Sequence, residues 1–190
     1  MFWPAPYTES EALVGVLTEQ LAAVRNAAHG LTDAQARATP CRSALSVGGL
    51  VKHVTWVLGR RAADAAAPTA VPDPAAVADF QGSFTLAPDE TLADVLAAFD
   101  AVRDAYLADV RATDPAAPWT APPAPWSGRP EPTEAVQRYT LLHHVQELAR
   151  HAGHADVLRE QLDGATALPL LLAVQGRPGN AYVQPWSPAP

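Results

Sequence analysis

Cysteine and lysine are almost missing from this 190-residue sequence, which has one of each, Cys41 and Lys52. A single cysteine cannot form a disulfide within the chain. Basic residues number 13 against 20 acidic ones, and the formal net charge is −7. Because nucleic-acid-binding proteins usually present a basic face, we expect no nucleic-acid partner.

Long apolar runs are also missing. The longest one, ALPLLLAV at residues 167–174, is far too short to cross a bilayer. The first residues, MFWPAPYTESEALVG, lack the basic segment and the apolar run of a signal peptide. We therefore predict a soluble, cytoplasmic protein with no membrane partner. Hydrophobic residues still make up 48% of the chain, which is enough for the core of one domain.

Apolar residues recur at helical spacing in four long segments, and no segment shows a convincing strand pattern. Thr8, Ser46 and Thr133 are the predicted N-caps of the first, second and fourth helices. The four predicted helices cover approximately residues 9–30, 47–66, 89–112 and 134–164. Four helices of this length predict an all-α fold, a four-helix bundle.

Proline-bearing segments separate these helices. One contains Pro68, Pro72, Pro74 and Pro88, and a second, DPAAPWTAPPAPWSGRPEP, precedes the last long helix. Residues 165–190 contain a short apolar turn and then a segment predicted to be an extended C-terminal tail. We therefore expect the bundle in residues 1–164, followed by this appendage.

Histidines cluster in the predicted fourth helix. Four of the six lie within twelve positions, at His143, His144, His151 and His154. Glu147 and His151 are four residues apart, so their side chains lie on one helix face, a turn apart. A carboxylate oxygen and a neutral imidazole nitrogen suit a divalent metal such as zinc or nickel. The alternative is that this pair belongs to a solvated helix face.

Two ligands do not make a tight site, so a third must come from another helix. His53 has apolar neighbours at Val51, Val54 and Val57, which indicates that it points inward. It is the natural third ligand, although an inward histidine can also be a satisfied core residue. The sequence has no HExxH motif, so a zinc protease is not favoured.

The segments SALSVGGLVKHVTWV and LLHHVQELARHAGHADVLREQLDG resemble the DinB/YfiT-like superfamily of metal-binding four-helix bundles. They are most similar to the actinobacterial branch that includes mycothiol-dependent maleylpyruvate isomerase. The resemblance covers residues 8–164 and implies His53, Glu147 and His151 as the metal ligands. The chain departs from the branch in the histidine doublet His143 and His144.

The resemblance implies a metal-dependent thiol S-transferase or isomerase. A low-molecular-weight thiol such as mycothiol would lose its proton on the metal, most simply zinc, and attack a small electrophile. His144 and His154 are candidate proton carriers, because histidine titrates near neutral pH. His154 is alternatively a partner of a ligand or simply exposed, and Trp56, close after His53, is a candidate for lining the pocket.

Two other functions remain open from the sequence. One is a non-catalytic metal-binding bundle, and the other is a hydrolase that uses metal-bound water. Cys41 precedes the second helix but has no acid–base partner beside it in sequence, so we interpret it as structural. Because many bundles of this kind dimerise, we keep a homodimer among the expected states.

Overall fold

The computed structural model describes residues 2–67 and 73–188, and in this part of the chain it contains seven α-helices and one two-stranded sheet. The helices are α1 (Glu9–Ala27), α2 (Asp33–Arg37), α3 (Val47–Ala66), α4 (Pro74–Gly82), α5 (Leu92–Ala112), α6 (Gln137–Asp163) and α7 (Ala167–Val174). The strands are β1 (Pro118–Ala121) and β2 (Thr133–Val136), which pair antiparallel. A mostly helical fold is therefore confirmed. None of the described helices has the length and apolar character needed to span a bilayer.

The four longest helices share the core. α1 packs against α6 and α5, and α3 packs against α5 and α6. Leu170 of α7 is buried as well, and fully buried apolar side chains come from all four long helices: Leu17, Leu21, Val24, Val47, Leu50, Val51, Val54, Phe99, Leu141 and Leu148. This contact pattern favours a four-helix bundle, which stays a prediction.

Helix starts follow the predicted caps at two places, and a third helix begins later than predicted. Thr8 forms a capping box with Glu11, as expected for the start of α1. The Ser46 hydroxyl accepts from the amide of Gly49, as expected for α3. α5 begins at Leu92, later than predicted, because Thr91 forms a capping box of its own.

The predicted cap at Thr133 is wrong. Thr133 lies in β2, where it pairs with Ala121, and α6 begins only at Gln137. The amides of Gln137 and Arg138 donate to carbonyl oxygens of residues 117 and 115. The β-hairpin thus satisfies amide donors that a capping side chain would otherwise bind, and the expectation of no strands is corrected with it.

The first proline-bearing segment contains a helix that the sequence analysis missed. Asp73 caps α4, and Pro74 occupies its first position, where a missing N–H costs nothing. Pro68 and Pro72, which belong to the same predicted loop, lie outside the described residues. The short apolar turn predicted at the C-terminus is the eight-residue helix α7.

Arg159 ties the C-terminal tail to the helices. Its side chain is fully buried and donates to Asp163 and to the carbonyl oxygens of Ala27 and His29 at the end of α1. The indole of Trp186 covers the guanidinium at 4.7 Å. The domain boundary expected at residue 164 stays a prediction.

Two glycines of α3 permit close packing of neighbouring backbone. A Cβ on Gly49 would lie 2.0 Å from the carbonyl oxygen of Phe84, and one on Gly48 would lie 2.9 Å from that of Ala36. Gly153 of α6 has no such role, since nothing lies within 4 Å of the place where its Cβ would be. The glycines of α3 therefore let the segment after α4 approach the helix backbone.

We expect Gly49→Ala to destabilise the protein by about 1–3 kcal/mol or more, because a methyl group would collide with a backbone carbonyl that cannot rotate away. Gly59→Ala in the same helix is the matched control, since nothing lies within 4 Å of a Cβ there. That change should stabilise by about 0.5–1 kcal/mol. Chemical denaturation of both variants measures the difference, and equal midpoints would contradict the close approach.

Candidate functional site

His53 lies in α3 and is buried, with 3% of its surface exposed. Its contact with Ser83 determines which of the two ring nitrogens carries the proton. Ser83 Oγ lies 2.8 Å from His53 Nδ1 and donates to the carbonyl oxygen of Phe80 at 2.6 Å. A hydroxyl has one hydrogen, so toward His53 it accepts. Nδ1 of His53 therefore carries the proton, and Nε2 has the free lone pair that a metal ligand needs.

Aromatic rings surround this imidazole. Phe84 stacks on it with ring centroids 3.7 Å apart, and Trp56 lies parallel at 6.2 Å. Phe80 meets it edge-on at 5.6 Å. Burial lowers the pKa of His53 to about 4, with His151 as the second cause, so the ring is neutral at physiological pH. Trp56 thus lies beside His53, as the sequence predicts, although its role in a pocket stays a prediction.

Lys52 holds the segment that carries these partners. Its ammonium donates to the carbonyl oxygen of Thr85 and forms an ion pair with Glu90 at 2.6 Å. Lys52 precedes His53 in α3, while Ser83 and Phe84 precede Thr85. The only lysine of the chain therefore fixes the loop against the helix turn that presents the imidazole.

His151 on α6 faces His53, with ring centroids 4.9 Å apart in an edge-to-face arrangement. Its Nδ1 is buried and has no hydrogen-bond partner among the described residues. Burial lowers the pKa of His151, while the negative charge of Glu147, one turn earlier, opposes that shift. Two neutral imidazoles from different helices thus meet, and one of them has an unsatisfied nitrogen.

The residues present fit a divalent metal in their chemistry. Neutral imidazole nitrogens at His53 and His151 and a carboxylate at Glu147 are the donors that zinc accepts. An unpartnered buried nitrogen costs free energy that a bound cation would remove. Within residues 2–67 and 73–188, no three acidic, histidine or cysteine side chains are grouped closely enough to hold an ion. The three-residue ligand set therefore stays a prediction.

A family model described as Mycothiol-S-transferase matches residues 12–164. The chain belongs to this family, which is DinB/YfiT-like. A crystal structure of a conserved protein from Enterococcus faecalis is 16% identical, with a TM-score of 0.51. The match covers 84% of this chain and 99% of that one, and it shows the fold alone. A search of curated proteins found no match.

The predicted proton carriers of this mycothiol-S-transferase family member lie in different surroundings. His154 is exposed, and its ring centroid is 6.4 Å from that of His151. His144 is buried, and its Nδ1 lies 2.8 Å from the hydroxyl of Tyr106 on α5. Burial, then the charges of Arg61 and His143, lower the pKa of His144 to about 4. A ring that stays neutral at pH 7 is poorly suited to carry protons there.

Sequence reasoning missed three residues of the site. Phe80, Ser83 and Phe84 come from a segment that was predicted to be a loop. Their available signal was the spacing of two phenylalanines four apart, which places both on one face of a helical turn. Cys41 packs against the hydrophobic core, in keeping with its structural interpretation.

The buried His144 should make stability depend on pH. Its pKa is lowered in the folded protein, so the unfolded chain takes up the proton first. The stability is fully present above pH of about 6.5 and is lost as the pH falls toward about 4. Between pH 7 and 5 this loss should reach roughly 2 kcal/mol.

Denaturant titrations of wild type and His144→Gln at both pH values measure this effect. The variant should lose less stability than the wild type on acidification, by about that amount. His154→Gln, at an exposed position, should follow the wild type. Parallel pH curves for wild type and His144→Gln would show that the buried ring does not couple to folding.

Proposed function

We propose that the protein is a mycothiol S-transferase that activates the thiol of its co-substrate between α3 and α6 and transfers it to a small electrophile. Membership of the mycothiol-S-transferase family supports thiol-transferase activity in general. The observation that carries the location is the contact of His53 with His151, where a buried nitrogen lacks a partner among the described residues.

His53, Glu147 and His151 would hold the divalent metal, with zinc as the first candidate. When bound, the metal supplies a Lewis acid that lowers the pKa of a thiol, so that the thiolate forms at neutral pH. The three side chains come from two helices that pack against each other, so the fold itself would position them. A thiolate held at these residues would be the nucleophile for an electrophilic carbon.

The neighbouring residues orient this site and limit its contact with water. Ser83 fixes the tautomer of His53, so that Nε2 keeps its lone pair. Phe84 and Trp56 flank the imidazole and lower the local polarity. His154, exposed next to His151, is the better placed of the two predicted proton carriers to exchange a proton with solvent.

We further propose that α1, α3, α5 and α6 form the family's four-helix bundle, with its boundary near residue 164. The supporting observation is that core side chains from all four helices are fully buried together. We also propose that the protein is cytoplasmic and forms a homodimer. Sedimentation of the purified protein measures whether it is a dimer.

We expect His53→Ala, Glu147→Ala and His151→Ala each to lower the metal content of the purified protein and to abolish thiol transfer to a generic electrophile. Each change removes one of three donors, and a two-donor site binds zinc weakly. Elemental analysis measures the metal, and loss of free thiol measures transfer. His154→Ala should keep its metal, because the exposed ring is not one of the proposed ligands.

The outcomes also separate the alternatives. Metal content that is unchanged in all three variants would overturn the ligand set. Metal binding without transfer from mycothiol, bacillithiol or glutathione would favour the non-catalytic bundle. Thiol-independent ester hydrolysis that depends on the same three residues would favour metal-bound water.

Ser83→Ala tests the orientation of the imidazole. The change leaves the Nδ1–H of His53 without its acceptor, and loss of such a partner typically weakens metal affinity about 10–100-fold. Competition with a chelator measures this affinity. Ser127→Ala is the matched control, since that hydroxyl donates only to a local turn carbonyl and lies in another part of the fold. Equal affinities in both variants would show that Ser83 has no orienting role.

A further inference from the structure

A cavity outside the histidine site lies between α1, α6 and α7, and it encloses about 220 Å³. Its walls are mostly apolar and come from α1 and α7: Ala22, Ala23, Ala27, Leu168 and Leu171. Asp156 lines it from α6. Asp156 follows His151 by five residues, which is about 140° around the helix axis. The cavity therefore lies on a different face of α6 from the proposed metal ligands and has no part in the thiol chemistry.

The α1 wall of this cavity is a hollow between two polar side chains. Ala22, Ala23 and Asn26 follow Glu19 by three, four and seven residues, so all four lie on one face of α1. The two alanines have short side chains and leave room between Glu19 and Asn26. Because α7 packs against α1, its leucines form the opposite wall. The cavity is thus apolar along its length and has a polar residue of α1 at each end.

Asn26, at one end, is a buried polar side chain without a partner. Only 7% of its surface is exposed, and its side-chain amide forms no hydrogen bond with another described residue. Neither polar atom of this amide is sealed inside the protein, so the amide opens toward the cavity that Asn26 lines. A buried amide without a hydrogen bond costs free energy, which a ligand in the cavity would recover.

Asp156 lies at the end of the cavity that holds this amide. Near its start, α6 forms an ion pair with Glu9 of α1 through Arg138. Near its end, Arg159 donates to the carbonyl oxygen of Ala27. The two helices therefore run in the same direction, which places Asp156 level with the last turn or two of α1.

The carboxylates of this cavity lack a cation. Asp156 is half-buried, and burial, followed by the charge of Glu160, raises its pKa. No cation or hydrogen-bond donor among the described residues opposes that shift. At the other end, Glu19 Oε1 accepts from the backbone amide of Phe2 at 3.1 Å, while Oε2 has no partner in the described part of the chain. Each end of the cavity thus presents a negative charge that the protein leaves uncompensated.

We infer that this cavity binds a linear alkyldiamine, with one ammonium group beside Asp156 and Asn26 and the other beside Glu19. Glu19 and Asn26 are seven residues apart, which is about 10.5 Å along α1. An extended chain of five methylene groups, with an ammonium at each end that makes a hydrogen bond of about 2.8 Å, bridges such a distance. The methylene groups contact the alanines and leucines of the walls.

The charge pattern selects against other small ligands. An anion would be repelled at both ends, and a neutral hydrocarbon would leave the carboxylates and the amide without partners. A divalent metal would meet mostly apolar walls where it needs a shell of oxygen ligands. The cavity has room for the diamine, because a volume of about 150 Å³ is enough for a benzene molecule.

Calorimetry at low salt with three ligands of equal chain length tests this inference. The wild type should bind 1,5-diaminopentane about tenfold more tightly than pentylamine, because the second ammonium adds a charge-assisted contact, and it should not bind 1,5-pentanediol measurably. Asp156→Asn and Glu19→Gln keep the shape of each side chain and should each weaken diamine binding about tenfold. Glu160→Gln is the matched control, since that exposed carboxylate is one turn from Asp156 and does not line the cavity.

Ala22→Leu is a second kind of variant, which leaves every charge in place. The larger side chain occupies the space for the methylene groups, so binding of both amines should be lost. Melting temperatures show whether each variant folds. Asp156→Asn should melt no lower than the wild type, because it removes a half-buried charge that has no partner among the described residues.

Diamine binding that is absent, or no tighter than that of pentylamine, would overturn the inference. An equal loss of affinity in Glu160→Gln and Asp156→Asn would do so as well, because general attraction to an acidic chain would then explain the binding. The titrations need neither a thiol nor an electrophile, so their result is independent of the proposed transferase activity.

Discussion

The hydrogen bond between Ser83 and His53 is the contact on which the candidate site depends. Because the serine gives its only proton to the carbonyl of Phe80, it must accept from the imidazole, and this fixes which ring nitrogen is free. The contact forms only if the loop comes close to α3, and Gly49 permits that approach. The close backbone packing at Gly49 thereby determines the tautomer of His53, one helix turn later.

The parts of the structure that the sequence predicts are those that local signals determine. α3 begins after Ser46 and ends at Ala66 as predicted, because a cap and a helical apolar pattern suffice to define it. His53 and His151 lie close together, with ring centroids 4.9 Å apart, and their role as metal ligands stays a prediction. The four-residue spacing of Glu147 and His151 and the family resemblance both predict Glu147 as a further ligand, which stays a prediction.

The missed features depend on contacts between distant residues. Thr133 is a good cap and an equally good strand residue, and its pairing with Ala121 decides between the two. Ser83 contacts a residue 30 positions away, so no local pattern assigns it to the site. Arginine usually lies at the surface, so its sequence context does not predict that Arg159 is buried. Its burial depends on Trp186, which is 27 residues away in the sequence.

The cover over Arg159 has a consequence for synthesis of the chain. Its guanidinium binds the carbonyls that end α1, yet Trp186, which shields it, is translated 27 residues later. As long as Trp186 is still inside the ribosome, one face of this guanidinium stays open to water. The end of α1 then lacks the tryptophan that covers its arginine partner. Native packing at that end can therefore be completed only after the tail has left the exit tunnel.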